Sequence, residues 1–205
     1  MGIDDTNKKR KRATRMDPMG RYRQLLSAAM RLCSREGIAN TNHARVATTA
    51  GVSTPTVFLY FPTRLDLMNA VLDEVELYLL KLVDRSSENE ITASKKLISI
   101  VSAYSDAIDS DSAYARIFLN WGAATTDQTW QKFLLFQDRL LEKFERIVDN
   151  GKRSGEVSQT VNPVWAAHLI CGAGTIIAQM KFRGLAASEI EDFFRALVRA
   201  SLKSG

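Results

Sequence analysis

Histidine and cysteine are scarce in this chain, which has only two of each among its 205 residues. Neither His43 nor His168 has a second metal ligand at helical spacing, so the sequence contains no zinc-binding pattern. Cys33 and Cys171 lie far apart within helical patterns. We expect two reduced core thiols in a cytoplasmic protein rather than a disulfide.

Motifs for enzyme chemistry are missing as well. There is no phosphate-binding glycine loop, and Gly172 and Gly174 lie within an apolar helical run where close helix packing explains them better. His168 is read as an interface or pocket residue rather than a catalytic base. The sequence therefore predicts no enzyme, no cofactor and no metal ion.

Long apolar runs are the third absence. No run approaches the roughly 18 residues that span a membrane, and no apolar segment follows the basic N-terminus as it would in a secretory signal. We expect no membrane partner.

Positive charge is concentrated at the N-terminus. Residues 1–24 contain eight Lys and Arg residues against three Asp residues, which equals the whole net charge of +5, while residues 25–205 are balanced. Basic arms of this kind most often bind nucleic acid. The alternative interpretation is a solvated tail that improves solubility.

Apolar residues recur at helical spacing through nearly the whole chain, and no segment alternates long enough to form a strand. The sequence predicts an all-α protein of about nine helices. The predicted ranges include residues 43–50, 54–61, 63–83 and 163–183, and a last helix that begins with a capping box of Ser188 and Glu191.

The stretch "AGVSTPTVFLYFPTRLDL" (residues 50–67) contains two prolines within a helical pattern. Pro55 suits the first turn of a helix, and Pro62 ends that helix. Gly51 suits the C-cap of the preceding helix, and Thr63 with Asp66 forms a capping pair for the next one. The result is two short helices joined by a tight turn.

Two such helices fit a helix-turn-helix, whose second helix lies in the DNA major groove. Hydroxyl groups of the second helix suit phosphates and base edges, and Val57 suits a thymine methyl group. We expect Phe58 and Phe61 to turn inward onto a small core of Val46, Ala47 and Val52. The alternative is an ordinary capped helical corner, which the basic arm upstream argues against.

These residues carry a family resemblance. Residues 21–83 resemble the N-terminal DNA-binding domain of TetR-type regulators. "KRATRMDPMGRYRQLL", "HARVATTAGVSTPTVFLYFPTRLDL", "RIFLNWGAATTDQTWQKF" and "RSGEV" resemble the vibrio quorum-sensing regulators of the LuxR/HapR/SmcR kind. The resemblance implies a homodimeric repressor or activator of quorum-sensing genes, bound to a palindromic operator in double-stranded DNA.

Two alternatives stay open. One is a drug- or metabolite-responsive repressor of a neighbouring gene, and the other is an all-α small-molecule binding protein without a DNA function. The resemblance divides the chain into a basic arm (1–20), a DNA-binding domain (21–66) and a ligand-binding and dimerisation domain (67–205).

The resemblance also assigns site residues. An arginine that enters the minor groove corresponds to Arg15, whereas a second family arginine falls on Ala13 and a polar reader falls on Leu59. The DNA-binding candidates are Lys11, Arg12, Arg15, Asn42, His43, Ser53, Thr54, Thr56, Val57, Leu59, Tyr60, Thr63 and Arg64.

The second half of the chain would hold a small apolar or aromatic ligand and the dimer interface. The pocket candidates are Tyr78, Phe118, Asn120, Trp121, Trp130, Phe133, Gln137, Leu140, His168 and Cys171. For the aromatic residues among them, plain core packing is the alternative. The interface candidates are Ala167, Ile170, Gly174, Ile177, Phe194 and Leu197.

Overall fold

The computed structural model describes residues 17–202, and these residues form nine α-helices and no strand. The all-α prediction is confirmed. The helices are α1 (Pro18–Glu36), α2 (His43–Ala50), α3 (Thr54–Tyr60), α4 (Arg64–Ser87), α5 (Ala93–Ser110), α6 (Ala113–Ala123), α7 (Trp130–Arg153), α8 (Pro163–Phe182) and α9 (Ala187–Leu202).

Helices α1 and α2 have clear local start and stop signals. The carboxylate of Asp17 accepts the backbone N–H of Gly20 at 2.6 Å, so α1 begins at Pro18, inside the predicted arm. Gly51 ends α2 in the left-handed conformation (φ 66°, ψ 38°), as predicted for a glycine C-cap. The side-chain amide of Gln24 donates to the carbonyl of Ala50 at 2.8 Å and fixes α2 against α1.

Helices α3 and α4 follow the proline signals. Pro62 comes two residues after the end of α3, which is one residue shorter than predicted. Thr63 and Asp66 form the predicted capping box, in which the N–H of Asp66 donates to the Thr63 hydroxyl at 3.1 Å and the N–H of Thr63 donates to the Asp66 carboxylate at 2.9 Å. Helix α4 then extends to Ser87, beyond the predicted residue 83.

Helix α4 joins two packed parts of one continuous apolar core. It packs on α1 in the N-terminal part and on α5 and α6 in the C-terminal part. Helix α8 packs on α7, α9 and α5. A single core that runs through both parts connects the C-terminal part physically to the N-terminal helices.

The start of α9 corrects a sequence prediction. Helix α9 begins at Ala187, so Ser188 lies inside the first turn and cannot act as its N-cap. The carboxylate of Glu189 accepts the N–H of Ala186 at 2.9 Å instead. Glu191 bonds to Arg195 one turn later, so the predicted box of Ser188 and Glu191 does not form.

The two cysteines are separate free thiols. Burial raises the pKa of Cys33 and that of Cys171 to about 11, so both stay protonated at neutral pH. Cys33 is buried in the core beside Thr41, whereas Cys171 is half-buried.

Candidate DNA-binding face and ligand cavity

Helix α3 presents one exposed face. Pro55, Phe58 and Leu59 occupy positions i, i+3 and i+4, which share a side of a helix. Phe58 is 47% exposed and Leu59 is 82% exposed, although apolar side chains of this size are usually buried. An exposed apolar face on so short a helix is available for contact with another molecule.

The opposite face of α3 is buried, which reverses two predictions. Val57 is fully buried and cannot contact a thymine methyl group, and Phe58 faces outward instead of inward. Phe61 is buried as predicted. Val57 lies one helical turn before Phe61 and therefore on the same side of the helix, so it is buried as well. Val46 and Ala47 are buried as predicted, and half-buried Val52 packs against the same core.

His43 holds α3 in place rather than facing the solvent. Its ring is buried, and Nε2–H donates to the carbonyl of Phe61 at 2.8 Å. The same ring stacks on Phe58, with ring centroids 4.0 Å apart and planes 8° from parallel. His43 therefore positions the exposed helix, and its prediction as a DNA contact is wrong. Phe58 is the exposed residue that the prediction missed.

Hydroxyl and amide groups lie on either side of this face. The hydroxyls of Ser53 and Thr56 are 2.8 Å apart, and the side chain of Asn42 caps α2 by accepting the N–H of Arg45 at 3.1 Å. Ser53, Asn42 and Thr63 are exposed; Thr54, Thr56 and Tyr60 are half-buried. Their predicted DNA contacts stay predictions. Lys11, Arg12, Ala13 and Arg15 lie outside the described residues.

Arg64 has a different set of partners from the one predicted. Its guanidinium donates to the carbonyl of Ile38 at 2.8 Å and lies 3.6 Å from the carboxylate of Asp127. Both partners lie at the junction between the helix-turn-helix and the corner of α6 and α7. The structure therefore places the Arg64 guanidinium at this junction, where its side chain is still 37% exposed. Its predicted DNA contact stays a prediction.

Asp127 is ionised at this junction. Burial alone would raise its pKa, but hydrogen bonds from the backbone N–H and hydroxyl of Thr129, together with the charge of Arg64, hold the pKa below the ordinary value. The α6–α7 corner therefore presents a carboxylate to Arg64 at neutral pH.

A cavity lies within the C-terminal part. It has about 70 Å³ of space for the centres of water molecules, several times the roughly 10–15 Å³ that one water needs. Among the predicted pocket residues, Phe118, Leu140 and Cys171 line it. The complete lining is Leu79, Leu82, Val83, Leu97, Ile100, Val101, Tyr104, Phe118, Leu140, Phe144, Ile170, Cys171, Gly174, Ile177 and Phe194.

The other predicted aromatic pocket residues pack against one another beside this cavity. Trp121 is fully buried, stacks on Phe136 with centroids 5.6 Å apart, and donates its indole N–H to the carbonyl of Thr129 at 3.1 Å. Phe133 contacts both Trp121 and Trp130. Trp121 and Phe133 are therefore buried in the core and half-buried Trp130 packs against it, and none of the three lines this cavity.

The remaining pocket candidates also lie outside the lining. Tyr78 stacks on Tyr114 with centroids 3.8 Å apart, and Asn120 contacts the backbone of Ile38. Gln137 is half-buried elsewhere on α7. His168 is exposed on α8 and bonds to the carbonyl of Val164.

Helix α8 has an exposed apolar stripe. The stripe consists of Val164, Trp165, Leu169 and Ile176, with exposed Gly172 between the last two. Trp165 is 72% exposed. By length and composition alone, α8 could also span a membrane, with a mean hydropathy of 1.2. The sequence analysis did not identify this helix as a candidate span. One weakly apolar helix is not evidence for a membrane location.

The predicted interface residues lie on the other side of this stripe. Ala167, Ile170, Ile177 and Phe194 are buried within the protomer, and all but Ala167 also line the cavity. A side chain that is already buried has no surface to offer to a second copy, so these four predictions are wrong. Gly174 lines the cavity and is half-buried, as is Leu197.

Comparison with known proteins agrees with this architecture. A family model described as bacterial regulatory proteins of the tetR family matches residues 25–71, which include α2 and α3. The chain is 31% identical over 167 residues to the HTH-type transcriptional regulator LuxR of Vibrio harveyi, covering 78% of each protein. The chain belongs to the TetR family. It is therefore related to DNA-binding transcriptional regulators, and the resemblance seen in the sequence is confirmed.

Solved structures at lower sequence identity share the fold. FadR of Bacillus subtilis, solved in complex with stearoyl-CoA, superposes with a TM-score of 0.73 at 18% identity, covering 89% of this chain and 98% of that one. GusR of Salmonella enterica superposes with a TM-score of 0.77 at 16% identity, covering 94% of this chain and 100% of that one.

Proposed function

We propose that the chain is a homodimeric transcriptional regulator that binds a palindromic operator through α3 and responds to a small apolar or aromatic ligand. The observation that carries the proposal is the exposed face of Pro55, Phe58 and Leu59, held out by the contacts of His43 with Phe61 and Phe58. A short helix is unstable alone, so such support is needed to present it to a groove.

The basic arm supplies the second DNA contact in this proposal. Lys11, Arg12 and Arg15 precede α1, and arms of this kind reach the minor groove beside a recognition helix in the major groove. The proposed domains are the arm (1–20), the DNA-binding domain (21–66) and the regulatory domain (67–205), with α1 beginning at Pro18.

The apolar stripe of α8 supports the homodimer. A palindrome is read by two copies whose recognition helices are roughly 34–36 Å apart, one turn of DNA. Contiguous exposed apolar side chains mark an interaction surface, and α8 carries four of them on one face. Gly172 lies within the stripe, and a Cβ there would meet nothing within 4 Å inside the protomer.

The relatives support two candidate classes of target gene. Similarity to LuxR of Vibrio harveyi supports a regulator of quorum-sensing genes in the cytoplasm. The second candidate is a metabolite-responsive repressor, which the apolar cavity and the stearoyl-CoA complex of FadR favour. Mapping of bound sites across the genome separates them, because the second candidate would bind chiefly beside its own gene.

The central test is selection of preferred sites from random duplex DNA by the full chain, followed by salt titration. We expect a palindromic site whose affinity falls steeply with salt. Phe58→Ala should weaken binding to that site, whereas Leu77→Ala, at an exposed leucine of α4, should not. Deletion of residues 1–12 should reduce the salt slope. Equal binding by all four proteins, or a site without two-fold symmetry, would contradict the proposal.

A further inference from the structure

The hydroxyl of Tyr104 on α5 has no hydrogen-bond partner among residues 17–202. Tyr104 is 9% exposed, its hydroxyl oxygen is buried, and the residue is part of the cavity lining. A buried hydroxyl without a partner is unfavourable, because folding removes its bonds to water and returns none. Such a group therefore points to a partner that comes from outside the chain.

The rest of the lining has almost no polar groups. Apart from Tyr104, the lining consists of aliphatic residues, three phenylalanines, Gly174 and Cys171 with its thiol. Burial raises the pKa of both Tyr104 and Cys171, so the two groups stay neutral at physiological pH. A protonated phenol is a good donor, whereas a thiol is a weak one. Tyr104 thus carries the strongest hydrogen-bond donor among the lining residues, and a ligand must displace neighbouring side chains to reach its buried oxygen.

The lining also carries no positive charge, because the described residues that form it include no Lys, Arg or His. A carboxylate or phosphate taken into this space would lose its hydration without gaining a counter-charge, and that is strongly unfavourable. An uncharged molecule loses far less. The lining therefore discriminates against anionic ligands.

We propose that the ligand of this cavity is an uncharged molecule with an apolar body and one acceptor oxygen, of the ketone or ester class, which accepts a hydrogen bond from the Tyr104 hydroxyl. The apolar body replaces water against the aliphatic lining, and the acceptor satisfies the buried donor. This inference rests on the proposed function, in which the cavity is the ligand site, and it adds the chemical class of the ligand.

The test uses the full-length protein and three probes of similar size: acetophenone, ethylbenzene and benzoate. Acetophenone and ethylbenzene differ mainly in the carbonyl oxygen, and benzoate adds a charge. We expect calorimetric titration to show acetophenone binding about three- to tenfold more tightly than ethylbenzene, the range for one hydrogen bond, with benzoate weakest. Tyr104→Phe should abolish the preference for acetophenone and leave ethylbenzene affinity unchanged.

Two further measurements make the result specific. Tyr114→Phe is the matched control, because Tyr114 stacks on Tyr78 away from the lining, and it should keep the preference for acetophenone. In the absence of any probe, Tyr104→Phe should unfold at a temperature no lower than the parent, since it removes an unsatisfied hydroxyl.

The outcomes separate this inference from the proposed function. If ethylbenzene and acetophenone bind equally to the parent, or if Tyr104→Phe keeps the preference, the role of Tyr104 is overturned while the ligand site stands. If benzoate binds best, the uncharged class is overturned. If no probe binds, both the inference and the ligand-responsive function are overturned. A lower unfolding temperature for Tyr104→Phe would mean that the hydroxyl already has a partner, such as a bound water. That result would overturn the premise that the hydroxyl awaits a ligand.

Discussion

The side-chain oxygen of Asn120 on α6 accepts the backbone N–H of Ile38 at 2.9 Å, in the loop between α1 and α2. Arg64 donates to the carbonyl of the same residue, so the backbone of Ile38 is held on both sides. Phe118 lies two residues before Asn120 and lines the cavity. A shift of α6 caused by a ligand would therefore displace the base of the helix-turn-helix.

Replacing Asn120 with alanine should weaken this connection. The N–H of buried Ile38 would lose its acceptor, which we expect to lower the free energy of unfolding by about 1–3 kcal/mol in urea titrations. The effect of acetophenone on operator affinity should also shrink. Asn40→Ala is the control, because Asn40 lies in the same loop and donates to the carbonyl of Glu36 instead. Identical behaviour of the two variants would show that the contact does not couple the two parts.

The pH dependence of stability should contain a contribution from Asp127. The pKa of Asp127 is lowered in the folded chain, so its ionised form stabilises the fold above the ordinary pKa of about 3.9, and this contribution is lost as the pH falls through the folded value. Asp127→Asn should therefore lower the free energy of unfolding near pH 7 by about 0.2–1 kcal/mol, as for a partly exposed pair. The difference in free energy of unfolding between Asp127→Asn and the parent should become smaller as the pH falls below about 4.

Urea titrations between pH 3 and pH 7 would measure this difference. Asp138→Asn, at an exposed position of α7, is the control and should have the same free energy of unfolding as the parent near pH 7. A constant difference between Asp127→Asn and the parent down to pH 3 would contradict the assignment of the shift to Asp127.

The local signals of the sequence predicted the helix-turn-helix well. Gly51, Pro55, Pro62 and the pair of Thr63 and Asp66 act through their own backbone geometry, so neighbours in the chain suffice to place the helix ends. The faces of α3 were not predictable in the same way. In a helix of seven residues Val57 and Phe58 are equally apolar, and only the packing of distant helices decides which of them is buried.

Gly51 should be sensitive to substitution for a backbone reason alone. Its φ of 66° is left-handed, and a Cβ there would meet nothing within 4 Å, so space is not limiting. Gly51→Ala should lower the free energy of unfolding by about 1–2 kcal/mol, whereas Gly51→Asn should cost less, because asparagine tolerates this conformation. Thermal and urea unfolding would measure both. Equal stability of the parent and Gly51→Ala would contradict this explanation.

Helix α8 shows why the interface could not be predicted from periodicity. It is apolar on nearly every side, so its sequence does not indicate which face packs inward. Ile170 and Ile177 face the cavity, whereas Leu169 and Ile176, one position earlier in each case, are exposed. The cavity could not be predicted either, since six successive helices, α4 to α9, contribute only one to four residues each to its lining.

Leu169→Glu should break the proposed homodimer. Leu169 is 55% exposed at the centre of the α8 stripe, and a carboxylate there would be buried without a partner in the dimer. We expect the dimer dissociation constant to rise at least about tenfold in light scattering across a concentration series. Leu77→Glu, at a similarly exposed leucine of α4, should leave it unchanged. A monomeric parent, or an intact dimer with Leu169→Glu, would contradict the interface.

Leu59 should determine base preference at one position of each half-site. Its side chain is 82% exposed on the α3 face, and as a leucine it can favour a thymine methyl group but cannot hydrogen-bond adenine. Leu59→Asn should shift the preferred base by about 1–3 kcal/mol if a bidentate contact with adenine forms. Tyr60→Phe should weaken binding to all sequences alike, because a hydroxyl on a phosphate positions the protein without reading a base. Selection of preferred sites from random DNA would compare both variants with the parent. If Tyr60→Phe altered the preferred site and Leu59→Asn did not, another face of α3 would enter the groove.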